Sequence, residues 1–296
     1  MSRHALWLRE GRDWPNHDAS RFIAAGGITW HVQVAGEGPV LLLLHGTAAA
    51  THSWRALLPL LARYYTVIAP DLPGHGFTAS PPASRLSLPG MAGLVGALLR
   101  EMRRSPAFCA GHSAGAAVLA RMILDDAIHP NAMVSLNGAL LALRGQGTAW
   151  YVPLARLFFA LPVVPVLLSA RAANPRVVAR LIAGTGSTID QSGLDLYRRL
   201  MQQPAHVAAA LGMMANWDLA SLERALPHLS TRLLLIAGER DTAIPPEQAG
   251  RVAGLVRDGR VLLLPGTGHL AHEEHPAEAA AAMRAFFAEK DLARAA

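Results

Sequence analysis

The chain holds a single cysteine, Cys109, and a single lysine, Lys290. One thiol excludes an internal disulfide framework and fits a reducing compartment. With 27 basic residues in all, the formal net charge of +6 is therefore carried by arginine. The arginines are scattered, and no run of about five to eight basic residues marks a nucleic-acid tract. Such a surface can attract anionic membranes or acidic substrates, but a GC-rich genome that writes Arg for Lys gives the same composition. The scatter favours the second account. Nucleic acid is not expected as a partner, and a peripheral membrane contact stays open.

Charge is also scarce, at 16% of residues against 52% hydrophobic, which excludes a disordered chain. A length of 296 residues suffices for a large core, in one domain or in one domain with an insertion. The amino terminus, MSRHALWLREGRDWPNHDAS, has no continuous apolar stretch, so no secretory signal is expected and the cytoplasm is the expected location. The longest apolar segment, LFFALPVVPVLLSA between Arg156 and Arg171, carries Pro162 and Pro165. A spanning helix takes about 20 apolar residues. This one is too short, and reads as a lid over an apolar pocket, with a dip into lipid as the lesser alternative.

What is present is a strand pattern. Residues 28–34, ITWHVQV, alternate apolar and polar side chains, the period of a half-buried strand, and Gly26-Gly27 suggests a hairpin from residues 21–25. Residues 40–44, 67–69, 108–110, 133–136, 233–237 and 261–264 are short continuous apolar runs, as in parallel strands covered on both faces. Helix-like stretches at 53–63, 86–103, 114–126, 246–256 and 276–289 separate most of them. Strands alternating with helices predict an α/β fold with a mostly parallel sheet flanked by helices. After the sixth strand the alternation fails for about ninety residues, too long for a connection. We expect a helical lid at 144–216, inserted between core segments 1–143 and 217–296.

The stretch CAGHSAGAAV contains Gly111-His112-Ser113-Ala114-Gly115, which fits G-x-S-x-G at a strand-to-helix turn. Small neighbours let a serine sit in such a strained turn, and the helix start behind it supplies N–H groups for an oxyanion. A serine hydroxyl needs a base, and the base an orienting carboxylate. LLLIAGERD places Asp241 after one apolar run, and VLLLPGTGH places His269 after the next. Ser113, Asp241 and His269 are the expected catalytic residues. Glu239 is a rival acid. The amides of Ala114 and Thr47 are the expected oxyanion donors, with Ala48 as alternative to Thr47. His272 and His275 beside Glu273 and Glu274 lack metal-protease spacing, and no metal or cofactor is expected. Cys109 reads as a buried thiol, His112 as packing beside the elbow, and Asp71 and His75 as turn residues.

With HGT, DLPGHG, GHSAG, the Asp241 loop and GTGH in this order, the chain resembles the α/β-hydrolase superfamily from about residue 20 onward. The phrases WPNHDASRFIAAGGITWHVQVAGEGPVLLLLHGT, THSWR, APDLPGHGFT and SLNGAL look like the BchO-type proteins, magnesium-chelatase accessory proteins of bacteriochlorophyll biosynthesis. That resemblance implies a photosynthetic bacterium and a tetrapyrrole-related role. Asn137 stands where some superfamily members place their acid, which supports Asp241. Serine at 113 argues against haloalkane dehalogenases and epoxide hydrolases, which carry a carboxylate there.

The expected activity is hydrolysis of an ester or related acyl bond. Trp150, Tyr151, Phe158, Phe159, Met213 and Met214 are candidate substrate-binding residues for a large apolar substrate such as a porphyrin ester, or else they only pack the lid. The competing reading is a porphyrin-binding or chelatase-contacting protein with a vestigial triad. Carbon–carbon bond hydrolysis by the same residues stays open.

Overall fold

The computed structural model describes residues 3–142, 158 and 161–289. Its strands are β1 (Ser20–Ala25), β2 (Ile28–Ala35), β3 (Val40–Leu44), β4 (Thr66–Pro70), β5 (Phe108–His112), β6 (Ala132–Leu136), β7 (Arg232–Gly238) and β8 (Gly259–Leu264). They form one sheet in the order β1-β2-β4-β3-β5-β6-β7-β8. β1 and β2 pair antiparallel through the turn at Gly26 and Gly27, both at positive φ, and β2 joins β4 antiparallel. Every later pairing is parallel. The parallel strands therefore deliver the residues that follow them to one end of the sheet, where ligands bind in open α/β sheets.

The helices are α1 (Arg3–Glu10), α2 (Leu57–Leu61), α3 (Leu88–Glu101), α4 (Ala114–Leu124), α5 (Val163–Arg171), α6 (Pro175–Ala183), α7 (Gln191–Met201), α8 (Pro204–Ala215), α9 (Ala220–Ala225), α10 (Glu247–Ala253), α11 (Ala271–Glu274) and α12 (Pro276–Ala288). β3 shows why its run is uninterrupted. Leu42 and Leu44 pack with residues of α3 and α4 on one face, while Leu41 and Leu43 pack with α2 and α12 on the other. A period-2 strand buried on both faces has no position left for a polar side chain.

One helix departs from expectation. Residues 53–63 do not form one helix: a 3-10 turn at Thr51–Trp54 precedes the short α2. Pro59 lacks an N–H, so it fits only in a first turn, and Ser53 is drawn inward by His272 and Glu273. The amino terminus begins with a helix that packs onto the core domain. α1 buries Leu6 and Trp7 against Trp14, Phe77 and Leu196. Its Arg3 donates to the carbonyls of Gly74 and Gly76 and to Gln203 of the turn before α8. Between β6 and β7 stand α5 to α9.

Candidate active site

The turn after β5 is strained where the chemistry was expected. Ser113 has φ 49° and ψ −117°, a conformation that costs a non-glycine residue about 1 to 3 kcal/mol. Its neighbours are small because the backbone is crowded. A Cβ on Gly111 would lie 2.4 Å from Ala116 N, and one on Gly115 would lie 2.1 Å from Leu44 O. α4 begins at Ala114, so its first N–H groups have no intrahelical acceptor. Among the described residues, the Ser113 hydroxyl makes no hydrogen bond.

Asp241 follows β7 and His269 follows β8, and the structure brings them together. Asp241 Oδ2 accepts from His269 Nδ1 at 2.8 Å. The other oxygen, Oδ1, accepts from the backbone N–H groups of Ala243 (2.8 Å) and Ile244 (2.9 Å). The carboxylate is fixed at both oxygens, and His269 then holds its free lone pair on Nε2. Glu239 goes elsewhere: it is exposed and accepts from Gly266 N at 2.9 Å.

Three residues around this pair were undervalued in the sequence. Asn137, at φ 48° just past β6, donates to Asp241 Oδ2 at 2.8 Å and to Gly268 O at 3.3 Å. Asparagine tolerates that left-handed conformation, which is the signal the sequence held. His112 does more than pack. Its Nε2–H donates to the backbone oxygen of His269 at 3.0 Å, tying the turn after β5 to the loop that holds His269. Among the described residues His112 Nδ1 is buried without a hydrogen-bond partner, and a Cβ on Gly46 would lie 2.8 Å from it. Burial, then the charges of His272 and His269, hold the His112 imidazole well below the ordinary histidine range, so it is neutral.

The third is Glu273, fully buried behind the site. It accepts from Ser53 Oγ and from Tyr197 OH, both at 2.7 Å, and pairs with Arg55, which also reaches Asp190 at 3.0 Å. His272 shares Ser53 Oγ at 2.9 Å and packs against His112 with ring centres 4.5 Å apart and planes tilted by 43°. Burial, then His269 and Arg55, hold His272 at about 3. Glu274 caps Gly268 N and Thr188 N, while His275 lies at the surface beside Glu278. Of the four, His272 and Glu273 meet at Ser53, while Glu274 and His275 turn to other partners.

The loop after β3 is held from two sides. His45 donates Nδ1–H to Gly46 O at 2.7 Å and accepts from Leu72 N at 2.8 Å. Ala48, at φ 61°, has its carbonyl fixed by His206 Nε2 of α8 at 3.2 Å. Thr47 lies against Met213, its hydroxyl 3.7 Å from the sulfur. Met213 is fully buried, whereas Met214 next to it is 39% exposed and Phe158 is half-buried. Trp150, Tyr151 and Phe159 lie outside the described residues. Asp71 is a buried support for the turn before Phe77: burial opposes its charge, but His31 and the backbone N–H of Phe77 hold its carboxyl below the usual range. The segment before α7 straps the loops of His269 and Asp241, since Thr185 O accepts from His269 N at 3.2 Å and from Thr242 N at 3.3 Å.

Comparison with known proteins agrees with this architecture. Residues 39–276 match the family model described as "alpha/beta hydrolase fold". The chain is 38% identical to the "Magnesium-chelatase 30 kDa subunit" of Rhodobacter capsulatus over 88% of its own length and 92% of that protein. It is 29% identical to "Pyrrolizixenacetamide deacetylase" of Xenorhabdus hominickii, over 88% of this chain and 94% of that one. An α/β-hydrolase fold protein from Burkholderia ambifaria superimposes with a TM-score of 0.74 at 28% identity, covering 90% of this chain and 97% of that one. By its family match and by its likeness to the chelatase-named relative along nearly the whole of both chains, the protein belongs to the α/β-hydrolase superfamily and, within it, to the BchO-type proteins.

Proposed function

We propose that this protein is a serine hydrolase acting on an ester or related acyl bond of an apolar substrate linked to bacteriochlorophyll synthesis. The observation that carries the reading is the 2.8 Å contact between Asp241 and His269 on the loops following β7 and β8, beside a serine in a strained elbow. With Nδ1–H given to Asp241, His269 Nε2 is the general base for Ser113. The Ser113 oxygen attacks the acyl carbon, and the N–H groups of Ala114 and Thr47 receive the developing oxyanion. His269 then returns the proton to the leaving alkoxide. Water, deprotonated by His269, releases the acid and restores Ser113. In this reading residues 144–216 are the lid, and Met213, which lies against Thr47, is its candidate substrate contact together with the partly exposed Phe158 and Met214. A porphyrin ester is the substrate class this lining suits, and the name of the chelatase relative supports a tetrapyrrole setting.

That same name favours one second reading: a non-catalytic protein that binds a magnesium porphyrin or contacts magnesium chelatase, with an idle triad. A fluorophosphonate probe separates the two. Wild type is expected to take up one adduct at Ser113, located by peptide mass, and Ser113→Ala none. Absence of labelling, with the probe shown to reach the pocket, transfers the case to the binding reading. Restoration of pigment by Ser113→Ala in a deletion strain would do the same.

A further inference from the structure

Helix α5, with sequence VVPVLLSAR, is apolar up to Arg171 except at Ser169, whose hydroxyl bonds back to Pro165 O. A helix of that kind normally lies inside a core or a membrane. Here one side is indeed turned inward: Pro165 and Ser169 are buried, Val164 and Leu168 half-buried. The opposite side carries Val163, Val166, Leu167 and Ala170, the i, i+3, i+4, i+7 stripe that a surface helix normally turns to its core. Val163 is 55%, Val166 52% and Leu167 61% exposed, with Leu161 just before at 44% and Leu181 of α6 at 55%. These side chains present on the order of 400 Å² of apolar surface, at the size where a patch marks an interaction site.

The segment that carries this patch holds charge of one sign. From residue 127 to residue 189, between Asp126 and Asp190, the sequence contains no aspartate or glutamate and five arginines. Of these, Arg171, Arg176 and Arg180 lie in or next to α5 and α6 and are exposed. Among the described residues none of the three has an acidic partner, although arginines elsewhere on the surface, such as Arg121, Arg198 and Arg199, do. Among the described residues, too, no helix is long and apolar enough to cross a membrane.

We propose that α5 and α6 form a docking face for an anionic lipid surface, with Leu161, Val163, Val166 and Leu167 entering the interfacial layer and Arg171, Arg176 and Arg180 meeting lipid phosphates. An apolar stripe with a basic border is the pattern of surface-bound amphipathic helices. A second copy of the chain is a poorer occupant. A stable dimer buries roughly 800 Å² per partner, about twice what the patch offers, and two such faces would oppose arginine to arginine. The inference stands apart from the hydrolase reading, because it concerns attachment and not turnover.

The test is co-sedimentation of the full chain with vesicles of phosphatidylcholine, with and without about a third phosphatidylglycerol. The chain is expected to pellet with the anionic vesicles, to remain in solution with the neutral ones, and to dissociate as salt is raised. Leu167→Glu and Val166→Glu are each expected to lower the partition at least about tenfold. Arg176→Ser with Arg180→Ser should lower it roughly 25-fold, taking about fivefold for each arginine near an anionic surface. Leu263→Glu, on the exposed part of β8, is the control that keeps binding, and unchanged urea midpoints show that every variant is folded. Absence of pelleting, or pelleting that Leu167→Glu and the arginine pair leave intact, overturns the proposal. So does a wild-type dimer in sedimentation equilibrium that Leu167→Glu abolishes without any vesicle binding, which would give the face to a second copy.

Discussion

Asn137 Nδ2 and His269 Nδ1 both donate to the same oxygen of Asp241, each at 2.8 Å. The carboxylate is thereby aimed by a side chain from a third strand end, and Asn137 is itself steadied by Gly268 O, one residue before the base. Its role is one of positioning. Asn137→Asp would set a second carboxylate against Asp241, and added negative charge favours the imidazolium of His269. We expect the acid limb of the pH profile for fluorophosphonate labelling at Ser113 to move up by about one unit. Asn137→Leu should slow labelling about tenfold, the size of a lost hydrogen bond to a charged group, and shift the limb little. An unmoved limb in Asn137→Asp would remove Asn137 from the site.

His112 offers a second test of how the elbow and the base loop keep their distance. Its Nε2–H to His269 O bond spans 157 residues of sequence. His112→Phe keeps the ring and removes the donor, and should slow Ser113 labelling about fivefold, as expected for one neutral hydrogen bond. His112→Gln places an amide N–H near the same point and is expected to recover most of the rate. If Phe and Gln behave alike, packing alone accounts for His112.

Buried neutral histidines give the stability a predictable pH dependence. His272 and His75 are each held at about 3, by burial first, then by His269 and Arg55 for His272 and by His45 for His75. Unfolded histidine titrates near 6.5. Between these values the unfolded chain binds protons that the folded chain does not, so stability rises with pH across that window and is lost as pH falls from about 6.5 towards 3. Urea unfolding at pH about 5 to 7 avoids most carboxylate titration. His272→Gln is expected to reduce the slope there by up to about 1.4 kcal/mol per pH unit, the value for one proton. An unchanged slope would show that His272 takes up its proton alike in the folded and unfolded chain.

The Arg55 and Glu273 pair makes the last prediction. Glu273 has a fully buried side chain and Arg55 one that is 15% exposed. Burial raises the Glu273 carboxyl, and Arg55, Ser53 and Tyr197 counter that rise. Arg55→Met strands a buried carboxylate and should cost about 3 kcal/mol or more. Glu273→Gln leaves Arg55 its Asp190 partner and should cost less. In the double variant much of the Arg55→Met loss should return, as measured by urea midpoints. Purely additive losses would mean that the two groups do not interact.

Much of this was legible along the chain. Uninterrupted runs such as VLLLL predict strands covered on both faces, because period-2 side chains cannot be apolar at every position unless both faces are dry. The elbow glycines, and the order of Ser113, Asp241 and His269 after successive runs, are local patterns as well. The one helix misread, at 53–63, failed because Pro59 and the inward pull on Ser53 compete with helical periodicity.

By itself, then, the sequence determined the sheet, the strained turn and which residues reach the end of the strands, since each follows from hydrophobic period and backbone sterics over a few neighbours. Only the tertiary structure decided that His269 takes Asp241 and not Glu239, that Asn137 shares the same carboxylate oxygen, and that His112 ties elbow to base. It alone also turned the apolar stripe of α5 outward. These are contacts between residues far apart in the chain, fixed by the directions of hydrogen bonds and by which surfaces remain after the core has closed, and neither has a period that a linear pattern can carry.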